Sequence, residues 1–159
     1  YVIKDRPPVK PLPVLVFSAH QAADLAEVSP LAQRLMAKFW PGPLTLVLPL
    51  KPGADIAPTA LAGGKTIALR CADIGWAAHK FYAGFTRPLV LTSANTSGAP
   101  SPVTAAEVAS DLGSKLPVII DGGPCKAGEP SAIVSLVSDD MTILRQGAIP
   151  AADILKFGA

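Results

Sequence analysis

Short apolar runs, each broken off within a few residues, set the terms for this fold. "LPVLVF" (12–17), "LTLVLPL" (44–50), "TIALR" (66–70), "PLVLT" (88–92), "PVIID" (117–121), "SAIVSLV" (131–137) and "MTILR" (141–145) are rich in valine, isoleucine and leucine. Proline, glycine, serine or a charge bounds each of them. Runs of this length and makeup read as strands. Helix signals lie between the early ones. Ser18 is an N-cap for residues 18–28, and Ser29 followed by Pro30 opens residues 30–40, with Leu31, Leu35, Met36 and Phe39 on one face. Residues 74–84, with Trp76 and Lys80, read as a further helix, and residues 51–65 as a loop. Thr104 and Glu107 have the spacing of a capping box ahead of a helix to Leu112. Helices between the early strands favour parallel pairs, and the "SDD" turn at 138–140 makes the last two runs an antiparallel hairpin. The expectation is an α/β fold: a twisted mixed sheet of about seven strands with flanking helices.

Composition narrows the function classes. Half of the 159 residues are hydrophobic and 16% are charged, so the chain can bury a core and is not disordered. It is expected to form a single domain over 1–159. Its apolar runs fall far short of the ~20 residues that cross a bilayer, and no secretory leader opens it. Cys71 and Cys125 lack any CxxC or Cys/His spacing, so they read as free thiols of a cytoplasmic protein, with no metal site. His20, His79 and Trp40 read as structural. A net charge of +2 permits an anionic ligand without demanding nucleic acid.

Polar residues gather where the runs stop. Run 66–70 ends on Arg70, and run 88–92 breaks into Thr92, Ser93, Asn95, Thr96 and Ser97 without a charge among them. Run 117–121 leads into "DGGPCKAGEPSA", which holds Gly122, Gly123, Gly128 and Ser131. Run 141–145 ends on Arg145, with Gly147 just beyond, while Lys4 and Arg6 stand near the start. Ligands of open α/β sheets sit beyond strand ends, and glycines and hydroxyls there bring donors close to an anion. Each feature alone also fits a solvated cap or a turn that satisfies its own backbone.

Taken in order, these segments resemble one family. "KDRPPVKPL" (4–12) is similar to the KxRxxxxPL motif of the YrdC-like family, the threonylcarbamoyl-adenylate synthases. "KFWPGPLTLVLPL" resembles its WPGP strand entry, "TIALR" its AVR strand and "TSANTSGAPSP" its SANxSG segment. "DGGPCKAGEPSAIVSL" resembles its GGP loop and STVV-type strand, and "ILRQGAI" its closing LRxGxI. Two features depart from the pattern. The PTET-like segment that precedes KxR in the family, with its strand and helix, is absent here, and Ala132 follows Ser131 where the family has Thr or Glu. The resemblance is to the short, single-domain type.

The resemblance implies an enzyme, a nucleotidyltransferase that condenses L-threonine, bicarbonate and ATP to threonylcarbamoyl-AMP and releases pyrophosphate. The product feeds t6A37 modification of tRNA through a downstream transfer complex. Mg2+ accompanies the phosphates of the ATP substrate. By analogy Lys4 and Arg6 are catalytic. Ser93, Asn95, Ser131 and Arg145 bind nucleotide and phosphate, and Arg6, Arg70 and Ser131 bind threonine and carbamate. Both reactants are anions, so the four cations are expected to face one cleft. No Ser-His-Asp, Cys-His or paired-carboxylate arrangement points to hydrolysis. Two alternatives share the fold: a module that binds double-stranded RNA or tRNA without catalysis, and the carbamoyl-adenylate domain of a hydrogenase-maturation carbamoyltransferase. No membrane partner is expected.

Overall fold

Leu44, Leu46 and Leu48 lie on one side of the strand β2 (Leu44–Pro49) and are inaccessible to solvent; Thr45 on the other side is buried too. A strand shielded on both faces belongs in the middle of a sheet. In the computed structural model, which describes residues 1–74, 85, 87–125, 128–138 and 140–157, that is its place. Among the described residues six strands form one sheet in the order β4-β1-β3-β2-β5-β6. The others are β1 (Val14–Leu15), β3 (Thr66–Arg70), β4 (Leu89–Val90), β5 (Ala132–Ser135) and β6 (Thr142–Arg145). β1 pairs with β3 and β2 with β5 in parallel; β1–β4, β2–β3 and β5–β6 are antiparallel. The sheet is therefore mixed, as expected, and its last pair is the expected hairpin, but two of the three pairs among the first four strands are antiparallel, where the intervening helices favoured parallel ones.

Helices cover it. Ser18 caps α1 (Ala19–Leu25) by accepting from the Gln21 N–H, and Ser29 caps α2 (Pro30–Phe39) by accepting from the Ala32 N–H. Ala22 and Leu25 from α1, with Leu35 and Met36 from α2, join Val14, Val16, Ile67, Leu69 and Val134 in one core cluster. Leu31 and Phe39 pack at its margin. Trp40 is partly buried and donates its Nε1–H to the Leu44 carbonyl at 2.8 Å. A short α5 (Ala151–Leu155) follows β6, and just beyond it Phe157 packs edge-on against Phe39.

Four expectations are corrected. Residues 117–121 are not a strand: Val118 and Ile120 are 69% and 48% exposed. The apolar run gave the composition of a strand, but no described strand lies alongside to pair with it and bury it. The run 88–92 is reduced to β4 at the sheet edge, where Val90 is 50% exposed rather than buried. Of 12–17 only β1 keeps ladder pairing. The stretch 51–65 holds a helical turn, α3 (Pro58–Leu61), which buries Ala60. Six strands thus replace about seven without changing the class. The helix expected at 74–84, with Trp76, His79 and Lys80, and parts of the "DGGPCKAGEPSA" loop and "SDD" turn lie outside the described residues.

The helix α4 (Ala105–Leu112) carries the predicted capping box. Thr104 Oγ1 accepts from the Glu107 N–H at 3.2 Å, and Glu107 Oε2 accepts from the Thr104 N–H at 3.0 Å and the Val103 N–H at 2.5 Å. These backbone donors hold the Glu107 carboxyl below its ordinary value of 4.5. A depressed acid stabilises the fold above its unfolded pKa, and that contribution fades as pH falls through the folded pKa. Urea unfolding should find Glu107→Gln less stable than the parent at neutral pH, with the gap closing below pH 4.5. A gap independent of pH would contradict this account.

Candidate active site

The predicted site residues fall into two groups where one shared cleft was expected: Lys4 and Arg6 stand in one, Arg70 and Arg145 in the other. The first is built from the start of the chain and the turn after β4. Lys4 is buried, and its ammonium donates to the carbonyls of Ser93 and Asn95. The Ser97 N–H returns a bond to the Lys4 carbonyl at 2.7 Å. Asp5 has φ of 51°, a left-handed conformation that Asp adopts more readily than most residues. Its carboxylate pairs with Lys115 at 3.0 Å. Arg6 donates from Nη2 to the Pro11 carbonyl at 2.8 Å. Asn95 donates from Nδ2 to the carbonyls of Thr96 (2.8 Å) and Ala99 (2.7 Å), so its amide hydrogens close the local turn. Its Oδ1 and the Nε of Arg6 are buried without a partner among the described residues. Burial first, and the charge of Arg6 second, hold the Lys4 ammonium below its ordinary 10.5, while Asp111 pulls it the other way.

The second group sits where β3 and β6 end and β2 and β5 begin. Arg70 Nε donates to the Gly42 carbonyl at 3.0 Å, and the Gly42 N–H donates to the Cys71 carbonyl at 2.8 Å. The "WPGP" turn is thereby clamped to the end of β3. Arg145 donates to the Ser131 carbonyl from Nε (3.1 Å) and Nη2 (2.7 Å), and Nη2 also reaches Ser131 Oγ at 3.2 Å. Buried Ser131 Oγ lies 2.8 Å from Oγ1 of buried Thr45. Burial lowers the pKa of Arg70, and the nearby positive charge of Arg145 lowers it further; burial also lowers that of Arg145. Among the described residues the guanidinium bonds go to neutral oxygens, and no carboxylate pairs with either arginine.

Strand direction explains the division. Arg70, Ser131 and Arg145 share one end of the sheet, because β2 and β5 run against β3 and β6. β4 runs against β1, and Leu91 bonds back to Pro13, so Ser93 and Asn95 lie toward the start of β1. Residue order could not supply those directions. It also passed over two residues. Asp111 accepts from the Thr96 N–H at 2.6 Å and its hydroxyl at 2.7 Å. Thr45 is a hydroxyl inside an aliphatic run, which was the visible clue.

An apolar cavity of about 1010 Å3 opens beside the second group, lined by Val16, Met36, Trp40, Cys71 and Ile74 among others. Cys71 is buried and its thiol is pushed up by that burial, whereas Cys125 is exposed; both are free. His20 in α1 is exposed. No helix among the described residues is long and apolar enough to cross a membrane.

Residues 1–147 match the Sua5, YciO and YrdC family model, described as telomere recombination. The chain belongs to the Sua5/YciO/YrdC family. It is similar to the threonylcarbamoyl-AMP synthase of Bacillus subtilis, 40% identical over 159 residues, which cover 97% of this chain and 44% of that protein. It is 39% identical over 142 residues to the enzyme of the same name from Schizosaccharomyces pombe, over 87% of this chain and 35% of that one. The crystal structure of Pyrococcus abyssi Sua5 complexed with L-threonine superposes with a TM-score of 0.90 at 37% identity, covering 98% of this chain and 45% of that chain. This Sua5/YciO/YrdC chain therefore spans less than half the length of these relatives.

Gly147 is the tightest point of the second group. A Cβ there would stand 2.3 Å from the Ala132 nitrogen and 2.4 Å from the Ser131 carbonyl carbon. Backbone cannot yield as a side-chain tip can. Gly147→Ala should cost about 1–3 kcal/mol in chemical denaturation, by forcing Ser131 and Arg145 apart. Unchanged stability would show that the turn has room to spare.

Proposed function

We propose that this chain is the catalytic domain of an L-threonylcarbamoyladenylate synthase. It condenses L-threonine, bicarbonate and ATP to threonylcarbamoyl-AMP and pyrophosphate, supplying t6A37 modification of tRNA. The observation that carries the reading is the Arg70–Arg145 pair: two neighbouring cations with no paired carboxylate among the described residues, in a chain 40% identical to a threonylcarbamoyl-AMP synthase. L-Threonine bound to the Pyrococcus abyssi relative supports the choice of amino acid.

The threonine amine attacks bicarbonate, water leaves, and a carbamate results. A carbamate oxygen then attacks the α-phosphorus, the bond to the bridging oxygen breaks, and pyrophosphate departs. Carbamate formation needs little acid–base help, so the protein's task is to position two anions and screen their repulsion. Lys4 and Arg6 serve the reacting centre. Two Lys4 hydrogens are taken by carbonyls, which leaves the third for a phosphate or carbamate oxygen. The buried Nε of Arg6 offers a donor that a ligand oxygen would satisfy. Ser93, Ser131 and Arg145 hold the nucleotide phosphates, and Asn95, whose amide hydrogens are taken, offers its Oδ1 as an acceptor to a hydroxyl or amino group of the nucleotide; Arg6, Arg70 and Ser131 hold threonine and carbamate, where a guanidinium can grip a carboxylate with two bonds. Mg2+ bound to the ATP phosphates would supply further charge neutralisation beside these cations. Free cysteines fit a cytoplasmic setting.

Incubated with ATP, threonine, bicarbonate and Mg2+, the protein should release pyrophosphate and yield threonylcarbamoyl-AMP by mass spectrometry. Arg6→Ala or Asn95→Ala should abolish pyrophosphate release and leave the circular dichroism spectrum unchanged. Normal turnover in both variants would remove these residues from the site. Absence of the adenylate, with this chain and with a version extended upstream, would overturn the function.

A further inference from the structure

We propose that Thr45 is a positioning residue that turns the Ser131 hydroxyl into a dedicated donor for an anionic oxygen. The inference rests on the reading that Ser131 contacts a phosphate or carbamate, and it names what orients that contact. Thr45 lies on the central strand at 2% exposure, Ser131 just ahead of β5 at 5%, and their Oγ atoms are 2.8 Å apart. A guanidinium carries donors and no acceptor, so Ser131 Oγ must accept from Arg145 Nη2 at 3.2 Å.

One hydrogen then remains on each hydroxyl. If Ser131 gave its hydrogen to Thr45, the Thr45 hydrogen would be stranded in the core, with no other partner among the described residues. An unsatisfied buried donor is costly. With Thr45 donating to Ser131 instead, the Thr45 hydrogen is satisfied. Ser131 Oγ then accepts twice, from Arg145 and from Thr45. Both of its lone pairs are used, and its hydrogen has one direction left, away from both partners. A hydroxyl in that state can donate but not accept. It favours a phosphate or carboxylate oxygen and disfavours an ammonium or amide N–H. It does so without adding charge beside Arg70 and Arg145, whose like charges already oppose each other.

The test is ATP binding by calorimetry, with Thr45→Val, Thr45→Ser, Ser131→Ala and the double variant Thr45→Val/Ser131→Ala. Valine keeps the shape and the strand preference but removes the hydroxyl; serine restores it. Thr45→Val should weaken ATP about tenfold, the size of one hydrogen bond to a charged group. Thr45→Ser should recover most of that loss. The double variant should bind no worse than Ser131→Ala, and the thermal midpoints of the Thr45 variants should stay close to the parent's. Parental affinity in Thr45→Val alongside weakened binding in Ser131→Ala would overturn this proposal and leave the site reading standing. Additive losses in the double variant would also overturn it, because Thr45 would then act by another route. Parental affinity in Ser131→Ala would instead strike Ser131 from the site.

Discussion

The four candidate cations are held by neutral oxygens: Lys4 by the carbonyls of Ser93 and Asn95, Arg6 by that of Pro11, Arg70 by that of Gly42, and Arg145 by that of Ser131. A carbonyl dipole can orient a charge but cannot cancel it. Burial first, and then the charge of Arg145, lowers the pKa of Arg70, as burial and then Arg6 lower that of Lys4. Elsewhere the protein does pair charges, as at Lys115–Asp5 and Arg87–Asp55, but on exposed surfaces where such pairs contribute little. At Arg70 and Arg145, by contrast, no carboxylate among the described residues is paired with either guanidinium.

The rest of the architecture serves to deliver those carbonyls. β2 lies between β3 and β5, so the turn before it can reach both: Gly42 meets Arg70, and the Pro43 carbonyl accepts from Ala132 at 3.0 Å. Gly147 lets the chain after β6 lie flat on the Ser131 backbone, within reach of Arg145. In the other group, Asp111 of α4 fixes Thr96, and Lys115 fixes Asp5, so one helical segment steadies both halves of the Lys4 contact. Core packing of β2 against α1 and α2 sets a rigid base beneath both groups.

Much of this was legible in the residues. Caps at Ser18, Ser29 and Thr104 could be read because a helix start is a local event, settled within one turn. β2 and β3 were readable because their apolar runs are buried by the sheet itself. Residues 117–121 misled for the opposite reason: an apolar run records which side chains could be buried, while strand formation needs a neighbour to take the backbone bonds. The candidate site residues were legible as motifs in order, Lys4 and Arg6 through Arg145, but their division into two groups was not. That division follows from the antiparallel pairing of β4 with β1, a long-range fact with no local signature.

If the uncancelled charges at Arg70 and Arg145 are a seat for an anion, then an anion should stabilise the fold, since a ligand bound by the native state alone raises its stability. The direct measurement is the thermal midpoint with increasing pyrophosphate, for the parent chain and for Arg145→Gln. The account predicts a midpoint that climbs with pyrophosphate in the parent and stays nearly flat in the variant. A parent midpoint indifferent to millimolar pyrophosphate, or an equal climb in both proteins, would contradict it.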